Sequence, residues 1–163
     1  MQENSLLTQS FIGKYADDLG QLISVQIKPI YQSLGIIVPV KSCSIIHTLQ
    51  AAHQASLMDI ANRLQQSHQL VKQKLPRLLK LDLIVAHDDP DDKRRTIYQL
   101  TPLGIEQANL LKQHSLSQVY KDLSEEINAD LFQVLSAAIE ALKAKDLLSR
   151  FHQYTTKDEN NER

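Results

Sequence analysis

The chain has 163 residues, a formal net charge of −1 and 42% hydrophobic residues, enough apolar material for the core of one compact domain or of two small lobes. Near-neutral charge excludes a globally basic protein, so any affinity for a polyanion has to come from local charge. One cysteine excludes an intramolecular disulfide, and four glycines with no glycine-rich phosphate loop, HExxH or G-x-S-x-G run leave no enzyme signature.

In chain order, Met1 to Asn4 lacks the positive start of a leader, and no apolar run approaches the ~18 residues of a membrane span. A cytoplasmic protein without membrane contact is expected. From about Ser5 to Leu34, residues Phe11, Tyr15, Leu19, Leu22, Ile23, Ile27, Ile30 and Leu34 recur at helical spacing. Gly13, Gly20 and Pro29 weaken or kink that helix. After a connector at Leu34 to Pro39, a second helix is expected over Val40 to Ala52, with Cys43, Ile46 and Leu49 facing inward.

Ser56 is placed to cap a third helix, with Asp59 reaching back as in a capping box and Leu57, Ile60, Ala61 and Leu64 as its apolar face. Ser67 caps a fourth, whose Val71, Leu75 and Leu78 make one buried stripe. His68, Gln69, Lys72 and Gln73 then lie on the opposite face, with Lys74, Arg77 and Lys80 further along. Polar tips early and cations later match a helix that meets base edges and phosphates. Ser56 to Leu81 carries Arg63, Lys72, Lys74, Arg77 and Lys80 against Asp59 alone. Pro76 deletes one helical hydrogen bond and clashes with the carbonyl of Lys72, so a kink or break is expected between Lys72 and Pro76. Leu83 to His87 and Thr96 to Leu100 read as two strands joined by the charged turn Asp88 to Arg95. Thr101-Pro102 opens the next helix, threonine as N-cap and proline at the first helical position.

That helix is expected to run through Ile105, Leu110, Leu111, Leu116 and Tyr120, with Ser124 as the N-cap of another and Glu125 and Glu126 in its first turn. A last helix from Ile127 to Phe151 carries Leu131, Leu135, Ala138, Leu142 and more apolar residues than one face needs, which points to an interface. The polar tail from Thr155 to Arg163 is expected to be disordered. His47, His53 and His87 beside Asp88 lack zinc-ligand spacing, and neither metal nor cofactor is expected.

Asp89-Pro90-Asp91-Asp92-Lys93-Arg94, followed by Leu100-Thr101-Pro102-Leu103-Gly104, resembles the wing signature of the MarR (multiple antibiotic resistance regulator) family. That signature is DPxD(R/K)R, a strand, then LTxxG, and the spacing agrees without a gap. The resemblance implies a mainly α fold: a winged helix-turn-helix with a two-stranded β-wing, and N- and C-terminal dimerisation helices. The DNA-binding domain would span 39–104 and the dimerisation region 1–38 and 105–154. The implied function is a homodimeric regulator, a repressor, on a pseudo-palindromic double-stranded DNA operator. Half-sites would lie about one helical turn apart, roughly 34 Å. Arg94 is implied as the wing-tip arginine in the minor groove, with Asp92 positioning it. The expected DNA-binding set is Ser67, His68, Gln69, Lys72, Gln73, Lys74, Arg77, Asp92, Lys93, Arg94 and Arg95. Regulators of this kind often respond to small aromatic or anionic effectors, for which Tyr15, Tyr31, Ile46 and His47 are the candidate lining residues. Two rivals stand beside this: a winged-helix dimer used for protein contacts, and a redox sensor acting through Cys43. Asp82 departs from the family pattern, which has glycine between recognition helix and wing, so a left-handed aspartate is expected there.

Overall fold

The computed structural model describes residues 10–153, so the expected start at Ser5 and the tail from Thr155 lie outside the described residues. The chain divides into two compact units at His114 and Ser115. In the first, helix α1 (Ile12–Ser33) runs through Gly20 and Pro29, and a short 3₁₀ turn (Val40–Ser42) leads into α2 (Cys43–Ala52). Strand β1 (Gln54–Ser56), α3 (Leu57–Leu64) and α4 (His68–Lys80) come next, then β2 (Ile84–Asp88), β3 (Thr96–Leu100) and α5 (Pro102–Gln113). The strands form an antiparallel sheet in the order β1-β3-β2, with Ser56 opposite Ile97 and Ala86 opposite Tyr98. In the second unit, α6 is Ser117–Glu126, α7 is Leu131–Ala144, and helical backbone resumes over 147–153.

Local chemistry accounts for most of these boundaries. Ser56 accepts the amide of Asp59, whose carboxylate accepts the amide of Ser56 at 3.0 Å, a complete capping box. Ser67 accepts from Leu70 N, and Thr101 Oγ1 accepts from Gly104 N at 3.0 Å with Pro102 at the first helical position. Asp82 occupies the left-handed region (φ 54°), as does Gln65 (φ 51°) at the end of α3. A short polar side chain lowers the cost of that conformation for Asp82.

The core gathers Ile45, Ile46 and Leu49 of α2, Ile60 and Ala61 of α3, Val71, Leu75 and Leu78 of α4, Leu83 and Ile84 at the wing, and Ala108 and Leu111 of α5. Helix α4 runs from His68 to Lys80 with Pro76 inside it, so the break expected there as one of two outcomes is absent. Leu75 and Leu78, on either side of it, are buried in the core, and their packing outweighs one missing amide. The helix after Pro102 stops at Gln113 instead of reaching Tyr120. Ser124 lies inside α6, where its hydroxyl donates to Tyr120 O and accepts from Leu131 N; Asp130 caps α7 by accepting from Gln133 N.

One buried polar side chain ties the helices together. Gln107 on α5 is nearly fully buried; its Oε1 accepts from Ile37 N at 2.8 Å and its Nε2 donates to Gly35 O at 3.0 Å. It therefore does for the α1–α2 connector what a paired strand would do, satisfying backbone groups in a segment without regular structure. Gln107→Leu is expected to cost about 1 kcal/mol in chemical denaturation, because two hydrogen bonds to the connector backbone are lost. An unchanged denaturation midpoint would rule out this role.

Candidate nucleic-acid interface

Helix α4 and the hairpin after it carry the candidate DNA-binding residues. Helix α4 comes after α3 and a tight turn at Gln65 and Gln66, and Val71, Leu75 and Leu78 anchor its inner face. That phase leaves Ser67, His68, Gln69, Lys72, Gln73 and Arg77 exposed along its outer face. Lys74 is half-buried and donates to Gln66 Oε1 at 3.1 Å, which holds it against the turn between the helices. The outer face thus presents amide and imidazole groups in its first two turns and a cation on each later turn. Such a pattern offers hydrogen-bonding tips to base edges and charge to phosphates.

The hairpin β2–β3 projects beyond the core as the wing. Asp89 N donates to Arg95 O at 2.9 Å and Arg95 N to Asp92 O at 2.8 Å, closing the turn. Asp89 Oδ1 accepts from Asp91 N and Asp92 Oδ1 from Arg94 N. Asp92 therefore holds the backbone of Arg94, and among the described residues no carboxylate pairs with the Arg94 guanidinium. Lys93 and Arg94 are exposed at the tip. Arg95 points elsewhere: Nη2 lies 3.2 Å from Asp59 Oδ2 and 3.4 Å from Ser56 Oγ, and Nε lies 3.7 Å from Asp89 Oδ2. A cavity of about 510 Å³ opens beside it, lined by Gln54, Asp59, His87, Asp89 and Ile97 among others.

The same capping box is electrostatically tuned. The Ser56 hydroxyl and then the Ser56 amide hydrogen-bond the Asp59 carboxylate and hold it below the usual aspartate value of 3.8, with Arg95 and Arg63 adding attraction. A depressed folded-state pKa contributes stability that is present above the unfolded value and is lost as pH falls through the folded one. Asp59→Asn is therefore expected to flatten the fall of melting temperature between about pH 5 and pH 3. Parallel curves for variant and parent would contradict this.

The four candidate effector residues are not equivalent. Tyr15 and His47 are exposed, Tyr31 is half-buried, and Ile46 is sealed in the core. Tyr31 and Ile46 meet through the core cluster, and Tyr31 Oη lies 3.5 Å from Cys43 Sγ. Burial raises the Cys43 thiol above its ordinary value, with the Tyr31 hydroxyl opposing, so the reactive thiolate is disfavoured.

Sequence reading missed the anchoring of Arg95, the strand β1 and the bridge of Gln107. Only the serine-aspartate cap at Ser56 hinted at the first, since it placed a carboxylate for a distant cation to find. Three residues are too few for strand periodicity, and a glutamine partnered by a connector some seventy positions away leaves no local signal.

No protein-family model matches the chain, and no curated protein is significantly similar to it in sequence. Solved structures do match. A MarR family transcription regulator is 21% identical, with 96% of each chain covered and a TM-score of 0.55. Overoxidized AbfR bound to DNA is 19% identical, with 87% of this chain and 99% of that one covered and a TM-score of 0.60. The PcaV transcriptional regulator of Streptomyces coelicolor, in complex with its natural ligand, is 18% identical, with coverages of 82% and 92% and a TM-score of 0.60. Agreement over nearly whole chains, joined to the capped helix pair and the hairpin described above, shows that this protein has the winged helix-turn-helix fold of the MarR family transcription regulators.

Proposed function

We propose that the protein is a homodimeric DNA-binding transcription regulator, a repressor, with α4 in the major groove and the wing in the minor groove. The observation that carries this reading is the outer face of α4: His68, Gln69, Lys72 and Gln73 are all exposed on a helix whose other face is locked into the core. Free ends are what base-edge readout requires, and a rigid inner face is what fixes their register. The exposed Arg94 at the wing tip supports the minor-groove half of the reading, since guanidinium is drawn to the negative potential of a narrow A·T-rich groove.

Dimerisation is supported by apolar surface. Phe132, Leu135, Ile139 and Leu142 are exposed at helical spacing on α7, and Phe11, Ile12, Tyr15 and Leu22 are exposed at the start of the chain and on α1. Stripes of that extent on a monomer mark an interface, and a second copy of the chain would place a second α4 beside the first. A small aromatic or anionic effector that prefers a dimer with wrongly spaced heads would release DNA by its differential affinity. A neighbour of the same fold is crystallised with its natural ligand. The raised Cys43 thiol gives no support to the redox alternative.

The test is fluorescence-anisotropy titration of the full chain against the promoter DNA beside its own gene, at several salt concentrations. Saturable binding that outcompetes random duplex, and that weakens steeply with salt, is expected. Equal affinity for promoter and random DNA would leave the protein-contact reading in its place.

A further inference from the structure

We propose that Arg95 is a positioning residue: it fixes the wing against the first helix of the helix-turn-helix and makes no DNA contact itself. The anchor stands on geometry alone, whereas its consequence for DNA reading rests on the function proposed above. Adjacent arginines on one turn have opposite fates. Among the described residues, Arg94 leaves the tip with its backbone amide alone held, by Asp92. Arg95 is engaged at every group: its carbonyl accepts from Asp89 N, its amide donates to Asp92 O, and its guanidinium spans Asp59, Ser56 and Asp89.

Those three partners belong to different elements. Asp89 lies in the wing turn, Ser56 ends β1, and Asp59 sits in the first turn of α3. One planar fork with five donors can join all three, which a lysine ammonium on a single point cannot do as well. The β1–β3 register sets the reach, because Ser56 pairs with Ile97 two residues beyond Arg95. The wing is consequently hinged to the helix pair through a side chain as well as through the strands.

Charge separates this role from phosphate binding. Arg95 is one cation between the carboxylates of Asp59 and Asp89, so the cluster is net negative, and Asp88 and Asp91 line the same cavity. The guanidinium is half-exposed, and its two carboxylate partners compete with any polyanion for it. Arg95 is therefore assigned to the anchor and not to DNA, and Asp89 of the wing turn together with Asp59 of α3 holds the strut that aims Arg94.

Amide hydrogen exchange of the free full-length protein tests the anchor. In Arg95→Gln, the amides of 89–95 and of β2 and β3 are expected to exchange about three- to fivefold faster, the scale set by a partly exposed ion-pair network. Those of α4 should be unchanged, and Arg95→Lys should recover part of the protection. Asp59→Asn should produce a similar wing effect and add little on top of Arg95→Gln. Unaltered wing exchange, or acceleration spread evenly over the core, would overturn the proposal. On the promoter duplex, Arg94→Ala should weaken binding by a smaller factor in the Arg95→Gln background than in the parent, because a loosened wing no longer presents Arg94. Equal factors would show that Arg95 does not act through Arg94. If the parent protein binds no DNA, the function proposed above fails while the exchange measurements still decide the anchor.

Discussion

Replacing Gly104 with alanine is expected to destabilise the protein by about 3 kcal/mol, lowering its melting temperature by roughly 6–12 °C. An added Cβ would sit 1.9 Å from the carbonyl oxygen of Leu83. That oxygen belongs to backbone and is itself held, accepting from Thr101 N at 3.1 Å, while Thr101 Oγ1 donates to Asp82 O at 2.6 Å. No flexible side chain can yield, so α5 has to move away from the start of β2. Moving it would also loosen Ala108 and Leu111 from the core. The glycine is required here for close approach, since the backbone at 104 is ordinary helix in the first turn of α5. Thermal unfolding of Gly104→Ala within 2 °C of the parent would show that the helix and strand can separate without cost.

On DNA, Arg94→Ala is expected to lower affinity about tenfold, most at sites with A·T-rich flanks, and Lys72→Ala to lower it by a similar factor at any flank. The two differ because of where they sit. Arg94 stands at the tip of a hairpin, exposed and without a carboxylate partner among the described residues, and the proposed function puts that tip in the minor groove. Lys72 lies one turn into α4, on the face opposite Val71 and Leu75. Its replacement should also reduce the slope of log affinity against log salt by about 1, because one phosphate fewer is neutralised. Anisotropy titrations over a salt series measure both. Unchanged affinity in both variants would remove the DNA-reading assignment.

The helix pair and the wing were legible in the sequence because their signals are local. Ser56 with Asp59, Ser67 with Leu70, and Thr101 with Gly104 are hydrogen-bonded pairs three residues apart, and each cap lies where the pattern of serine or threonine before an apolar period places it. Asp82 likewise marked its turn through its own conformational tolerance. The second unit was less legible. Its residues repeat at helical spacing without interruption, so the ends of α6 and α7 had no apolar signature, and Ser124 fits a capping pattern while lying inside a helix.

Propensity and pattern along the chain, then, determined the helix pair, the wing and the capped start of α5, since each rests on interactions spanning a few residues. Packing between distant segments decided the rest. Burial of Leu75 and Leu78 carries α4 through Pro76. Gly104 meets Leu83, Gln107 reaches Gly35 and Ile37, and Arg95 reaches Asp59, all across separations at which local pattern carries no information. Two adjacent arginines that the sequence presents as equals are told apart only by the strand register that brings a carboxylate within reach of one of them.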